Sequence, residues 1–170
     1  MSSFSGEGED KHLKNNIPLR QSEQEQHQPH EQRQEEEKLS PFTKRILIVD
    51  NDPDITFTFK KAFDEANRIS GNKISFHVNT YNDPLVALSE FKPDFYDLLL
   101  VDINMPKMNG FDFCVKMFEM DINPRVCFMS SGLINQEALK EQYPSLSIGC
   151  FIRKPITIEY LVKRVKAELD

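Results

Sequence analysis

The chain has 170 residues and a formal net charge of −6, which argues against a protein that captures nucleic acid on its own surface by counterion release. It contains no run of about 18 apolar residues, and its first ten residues lack a basic region followed by an apolar stretch, so neither membrane insertion nor export is indicated. We therefore expect a cytoplasmic protein that neither enters a membrane nor binds nucleic acid directly.

Residues 1–43 differ in composition from the rest of the chain. They contain QSEQEQHQPHEQRQEEE, a Gln/Glu/His-rich run with too few apolar side chains to offset its ordering entropy. We predict a disordered polar tail over 1–43 and one domain over 44–170. The tail histidines, His12, His27 and His30, could bind a metal, but they lack paired cysteines or helical spacing, which favours a solvated tail.

The domain opens with a continuous aliphatic run, Arg45–Val49, which predicts a strand buried on both faces. Asp52 is predicted to cap the following helix, with Pro53 at its first position, because apolar residues then recur at three- and four-residue steps to about Asn67. A two-residue alternation over Ile74–Tyr81 predicts the second strand.

The rest of the chain continues this alternation of strands and helices. Asp83-Pro84 predicts the start of a short second helix that ends before Lys92-Pro93 and contains four apolar residues: Leu85, Val86, Leu88 and Phe91. The further predicted strands are Leu98–Val101, Val126–Met129 and Cys150–Ile152. The further predicted helices are Gly110–Met120, Asn135–Gln142 and Thr157–Leu169, the last with Ile158, Leu161, Val162 and Val165 inward.

Five such alternations predict an α/β fold: a flavodoxin-like, doubly wound five-stranded parallel sheet in the order 2-1-3-4-5, with helices on both faces. The three cysteines, Cys114, Cys127 and Cys150, all lie in apolar segments without C-x-x-C spacing. We interpret them as small buried side chains rather than as disulfides or a zinc site.

Polar residues stand at four of the predicted strand ends. They are Asp50 and Asn51 after strand one, Asp102 after strand three, Ser130 after strand four and Lys154 after strand five. In a sheet of this topology, ligands bind outside the carboxyl ends of the strands. Each residue alone has a plainer interpretation: a turn acid, a turn-capping serine, a surface lysine. Their occurrence together favours a site.

The chemistry of this set points to phosphoryl transfer. Asp50 and Asp102 would approach each other across neighbouring strands, where like charges repel unless a cation neutralises them, and oxygen ligands suit Mg²⁺. Lys154 and Ser130 could then neutralise the oxygens of a transferred phosphoryl group, with a carboxylate oxygen of Asp102 as the nucleophile.

From Lys44 to Asp170 the chain resembles a response-regulator receiver domain, through ILIVDNDPDI, LLLVDINMPKMNG, VCFMSS and FIRKPI. The resemblance implies a phosphoacceptor at Asp102 and a phosphate-contacting hydroxyl and lysine at Ser130 and Lys154. It also implies a Mg²⁺ site, with these ligands: Asp50, Asn51, Asp102 and the main-chain carbonyl of Asn104. Phe151 stands at the position of the family's rotating switch aromatic.

Two positions depart from the family pattern. Members usually carry a second acid where this chain has Asn51, so we expect weaker Mg²⁺ binding, by about 1–2 kcal/mol. Asp52 adds a nearby acid, although capping the helix is its expected role. Phe151 stands where a tyrosine is common, and by strand pattern alone it fits a core residue as well as a switch.

The resemblance implies a free-standing phosphorelay module rather than an enzyme that turns over a substrate. It would take a phosphoryl group from a histidine kinase or phosphotransfer protein and signal through a protein partner that the sequence does not identify. One alternative is a pseudo-receiver that binds proteins but is little phosphorylated, because Asn51 weakens the metal site. A hydrolase of the aspartyl-phosphate type is disfavoured, since Asn104 stands where that class needs a second acid.

Overall fold

The computed structural model describes residues 42–69, 74–144, 146 and 150–170. The strands within these residues are β1 (Thr43–Val49), β2 (Ser75–Tyr81), β3 (Leu98–Asp102), β4 (Arg125–Ser130) and β5 (Cys150–Arg153). The helices are α1 (Pro53–Ile69), α2 (Pro84–Ser89), α3 (Gly110–Phe118), α4 (Gln136–Gln142) and α5 (Ile158–Leu169). The predicted tail lies outside the described residues, apart from its last two positions.

The five strands form one parallel sheet in the order β2-β1-β3-β4-β5, which confirms the predicted fold class and strand order. β3 is central and all five of its residues are buried. Its side chains alternate between two apolar clusters. Leu99 and Val101 pack with α2 and α3, whereas Leu98 and Leu100 pack with α1 and α5. Coverage of both faces explains why β1 and β3 contain continuous aliphatic runs.

The helix starts follow the predicted caps. A carboxylate oxygen of Asp52 accepts a hydrogen bond from the amide of Asp54 at 2.9 Å, and Pro53 opens α1. Asp83 accepts from the amide of Leu85 at 2.9 Å and caps α2 in the same way. These side chains satisfy amides that have no partner within the helix.

Only some of the apolar residues predicted in the second helix face the core. Leu88 and Phe91 pack against the core, but Leu85 and Val86 are 47% and 43% exposed. Because α2 has six residues, it makes fewer than two turns, and a single stripe that includes Pro84 and Ala87 reaches the sheet. Leu85 and Val86 lie on the opposite side of that turn.

The sequence also predicts which residues of α5 face inward and that the cysteines are buried. Leu161 and Val165 of α5 are buried as predicted, but Ile158 is exposed, because it lies in the first turn, before the part of the helix that packs on the sheet. The three cysteines are buried and unpaired by disulfides. None of the helices in the described part of the chain is long and apolar enough to span a bilayer.

Gly110 allows α3 to start directly against the end of β3. A Cβ atom built on Gly110 would overlap the main-chain oxygen of Asp102 and lie 3.1 Å from Cα of Ile103. Both neighbours are backbone, so neither can rotate away. The amide of Gly110 also donates to the carbonyl of Ile103 at 3.0 Å, which closes the loop between β3 and α3.

We expect Gly110→Ala to lower the free energy of unfolding by about 1–3 kcal/mol, because the new methyl group forces the β3–α3 loop to shift. Gly132→Ala is the matched control, since the nearest atom there, Oγ of Ser130, lies 3.8 Å from the added carbon. Urea denaturation of both variants measures the difference. Equal effects would show that the contact at Gly110 is not restrictive.

Candidate functional site

Three charged side chains meet at the carboxyl ends of the strands. Asp50 directly follows β1, Asp102 is the last residue of β3, and Lys154 directly follows β5. The two aspartates are only 1% and 3% exposed. Parallel strands present their carboxyl ends at one edge of the sheet, so residues far apart in sequence come together there.

Lys154 bridges the two aspartates. Its Nζ lies 2.9 Å from Oδ2 of Asp50 and 2.5 Å from Oδ1 of Asp102. The Lys154 side chain is itself largely buried, with 12% exposure. A buried cation between two buried carboxylates is far less screened than a surface ion pair, so this bridge strongly fixes the relative positions of the three groups.

Main-chain amides orient the other carboxylate oxygens. Oδ1 of Asp50 accepts a hydrogen bond from the amide of Asp52 at 3.0 Å, and Oδ2 of Asp102 accepts from the amide of Asn104 at 2.9 Å. Each of the four oxygens therefore has a donor in the protein. A carboxylate held by an ammonium on one side and an amide on the other keeps a fixed direction, which a positioned nucleophile needs.

The charges alter the protonation equilibria of the site. Burial raises the pKa of the Asp50 carboxyl, and repulsion from Asp102 adds to the rise, while the Asp52 amide and the Lys154 ammonium oppose it. Burial lowers the pKa of Lys154, but the hydrogen bonds and attraction of both aspartates outweigh burial and leave that pKa raised. Lys154 therefore carries its charge at neutral pH.

Ser130 ends β4, one position beyond Met129, the register partner of Asp102. Its carbonyl accepts from the amide of Lys154 at 2.8 Å, which ties the ends of β4 and β5 together. Its hydroxyl accepts from the amide of Gly132 at 3.0 Å. Ser130 thus lies at the same edge as the charged cluster, with its hydroxyl directed to its own loop.

The remaining predicted site residues surround the cluster without joining the ion pairs. Asn51 directly follows Asp50, and Asn104 lies two positions after Asp102. Both asparagines are exposed. Phe151 is half-buried on the α3 side of the sheet, and its ring centroid lies 5.9 Å from that of Phe128. Two exposed amide-bearing residues thus follow the two aspartates in the chain, and an aromatic pair lies on the α3 side of β4 and β5.

Sequence reasoning missed two polar residues that support the site. Nδ2 of Asn82 donates to the carbonyl of Asp50 at 2.8 Å and to Oγ1 of Thr56 at 3.0 Å. Asn82 follows β2, so it occupies the one strand end at which no candidate was assigned. Its position at a strand end was the available signal. Thr56, a buried residue of α1, gave no comparable signal.

A second missed contact connects the loop after β3 to α2. Nζ of Lys107 forms an ion pair with Asp83, the residue that caps α2. Lys107 has a positive φ of 69°, a backbone conformation that is uncommon for residues other than glycine. This contact holds the loop that carries Asn104 and Pro106 against the neighbouring helix start.

The donor set at this edge fits a hard divalent cation. Two carboxylates against one ammonium leave a local charge of about −1, and the exposed residues that follow the aspartates, Asn51 and Asn104, offer oxygen rather than sulfur or imidazole. The residues suited to hold an ion are Asp50 and Asp102, with an oxygen from Asn51 or the carbonyl of Asn104. Such an ion would supply the positive charge that the lysine alone does not.

Comparison with known proteins gives consistent matches over about three quarters of the chain. PrrA of Mycobacterium leprae, a transcriptional regulatory protein, is 30% identical over 127 residues, which cover 74% of this chain and 49% of PrrA. The sensor protein EvgS of Escherichia coli K12 is 28% identical over 125 residues, which cover 74% of this chain and 9% of EvgS. The chain thus spans about half the length of PrrA.

The chemotaxis protein CheY4 of Vibrio cholerae has the same fold, with a TM-score of 0.60 and 22% identity over 75% of this chain and 99% of that one. The sequence model of the response regulator receiver domain matches residues 46–166, which contain Asp50, Asp102, Ser130 and Lys154. The protein therefore belongs to the response regulator receiver family of two-component signalling systems.

Proposed function

We propose that the protein accepts a phosphoryl group on Asp102 from a histidine kinase or phosphotransfer protein, in a reaction that needs Mg²⁺, and signals through a protein partner. The observation that carries this proposal is the bridge from Lys154 to both Asp50 and Asp102. The family consists of signalling modules rather than turnover enzymes, which supports a phosphorelay role.

Asp102 is suited to act as the nucleophile. Its carboxylate is held from two sides, by Nζ of Lys154 and by the amide of Asn104. In the transfer, a carboxylate oxygen forms a bond to phosphorus as the bond between phosphorus and the donor nitrogen breaks. The protein mainly positions the carboxylate and neutralises charge, which is where most of the catalysis of phosphoryl transfer arises.

Lys154 would neutralise one oxygen of the bound phosphoryl group, and the hydroxyl of Ser130 could donate to another after it leaves Gly132. Asp50, Asn51, Asp102 and the carbonyl of Asn104 would hold Mg²⁺, which when bound neutralises further charge on the phosphoryl oxygens. Asp50 would then remain deprotonated despite its burial, because a cation next to it favours the charged form.

The output would begin with Ser130 and Phe151. Side chains alternate along a strand, so Ser130 shares a face of β4 with Phe128, and Phe128 is the register partner of Phe151. Ser130 and Phe151 are therefore diagonal neighbours on the α3 side of the sheet. If the hydroxyl moves toward a phosphoryl group, it leaves space on that face which the half-buried ring of Phe151 can fill, and the surface around β5 changes.

Asp102→Asn should abolish labelling by acetyl phosphate and Mg²⁺, because an amide is a poor nucleophile. Intact mass spectrometry measures the added phosphoryl group. Asp52→Asn is the control, since Asp52 lies in the neighbouring loop but caps α1. A label that persists in Asp102→Asn rejects the site assignment, and an unlabelled parent protein favours the pseudo-receiver alternative.

Asn51→Asp should tighten Mg²⁺ binding about tenfold, because it adds a charged oxygen ligand next to Asp50. Amide chemical shifts near Asp102, followed during a Mg²⁺ titration, give the dissociation constant. Asn135→Asp makes the same charge change at the N-cap of α4, where an aspartate caps equally well. If both variants bind Mg²⁺ equally, Asn51 is not a ligand position.

Lys154→Met should lower the free energy of unfolding by about 3 kcal/mol, because two buried carboxylates lose their shared counter-ion. Millimolar Mg²⁺ should recover part of this loss by supplying a cation at the same place. Urea denaturation with and without Mg²⁺ measures both effects. Lys107→Met, which breaks an exposed ion pair, should be much milder and insensitive to Mg²⁺. Absence of recovery would count against a cation between Asp50 and Asp102.

A further inference from the structure

Two of the three cysteines form a thiol pair outside the phosphorylation site. Cys127 of β4 and Cys150 of β5 are register partners in adjacent parallel strands, so their side chains project from the same face of the sheet. That face is the one covered by α1 and α5. Both residues are buried and neither forms a disulfide.

A carboxylate completes this cluster. One oxygen of Glu168, in the last turns of α5, and the sulfur atoms of Cys127 and Cys150 all lie within 4.8 Å of one another. Three ligand atoms at such separations can be bridged by a single metal ion, whose bonds to sulfur are about 2.3 Å and to oxygen about 2.0–2.2 Å. The three groups come from β4, β5 and α5, which explains why no short cysteine motif marks them in the sequence.

Arg164 provides the contacts that usually surround a metal–thiolate site. Its Nε donates to the sulfur of Cys150 at 3.1 Å, and its Nη2 lies 2.8 Å from Oε1 of Glu168. The guanidinium thus orients two of the three ligand groups at once. Two thiolates, one carboxylate and a divalent ion sum to a charge of −1, which the charge of Arg164 balances.

Glu168 is the member of the cluster that lies nearest to solvent. This residue is half-buried and lines a pocket of about 340 Å³ that also borders Val126 and Ile122. The carboxylate is therefore the solvent-facing member of the cluster, whereas both sulfurs are buried.

We propose that Cys127, Cys150 and Glu168 form a binding site for a thiophilic divalent cation of the zinc type, with Arg164 as a positioning residue. Each thiol releases its proton to solvent as its sulfur binds the ion. The three protein ligands leave a fourth tetrahedral position for water. A bound ion would connect the edge strand β5 to both β4 and α5.

The test is titration of the full-length protein with Co²⁺, a spectroscopic substitute for Zn²⁺, in excess Mg²⁺ and a phosphine reductant. Ligation by thiolate produces a sulfur-to-cobalt charge-transfer absorption, which oxygen and histidine ligands do not give. The expected result is such a band at one Co²⁺ per chain, displaced by Zn²⁺. Absence of a band from the folded protein overturns the proposal.

Variants show which residues produce the charge-transfer band. Cys127→Ser and Cys150→Ser should lose it, whereas Cys114→Ser should retain it, because Cys114 is an equally buried thiol in the other apolar cluster. Glu168→Gln and Arg164→Gln change partly exposed side chains and should fold normally, with at least about tenfold weaker Co²⁺ binding. A band that survives in either Cys127→Ser or Cys150→Ser, or an affinity unchanged in Glu168→Gln, refutes the assignment.

Discussion

The bridge between Lys154, Asp50 and Asp102 is the constraint on which the carboxyl edge of the sheet depends. Removing one ammonium and two carboxylates from water is costly, and the cost is recovered only if the groups stay within hydrogen-bond distance. Lys154 follows β5, yet β4 separates β5 from β3 in the sheet. The lysine must therefore reach over the end of β4, and the hydrogen bond from its amide to the carbonyl of Ser130 sets the direction of that reach.

The loops at this edge are built to supply donors to those charges. The amides of Asp52 and Asn104 donate to carboxylate oxygens of Asp50 and Asp102. Asn82, which directly follows β2, donates to the carbonyl of Asp50. Gly110 lets α3 begin against the main chain of Asp102. The two amides orient the carboxylate side chains, and the contacts of Asn82 and Gly110 fix the backbone that carries them, so the cluster is positioned before any ligand arrives. The excess of one negative charge is what remains for a cation to neutralise.

Much of this arrangement could be predicted from the sequence, because it follows from periodicity and strand order. Aliphatic runs and one alternating segment located the strands, and the strand order predicted that Asp50, Asp102 and Lys154 would lie close together, as they do. The exposure of Leu85 and Val86 could not be predicted from the pattern, since apolar residues in a helix of six need not all face the sheet. Asn82 went unassigned because an asparagine after a strand is common in turns. The cluster around Cys127 and Cys150 depends on which residues are register partners, and no spacing along the chain reveals that.

Register also connects the thiol pair, Cys127 and Cys150, to the aromatic pair, Phe128 and Phe151. Cys127 and Phe128 are successive residues of β4, and their partners Cys150 and Phe151 are successive residues of β5. The thiol pair faces α5 and the aromatic pair faces α3, on opposite sides of the same two strands. Any displacement of β5 relative to β4 changes the separation of both pairs at once. A repacking of Phe151 that moves the edge strand must therefore alter the geometry between the sulfurs, and an ion held by them would oppose that movement, because metal–sulfur bonds tolerate little change in length.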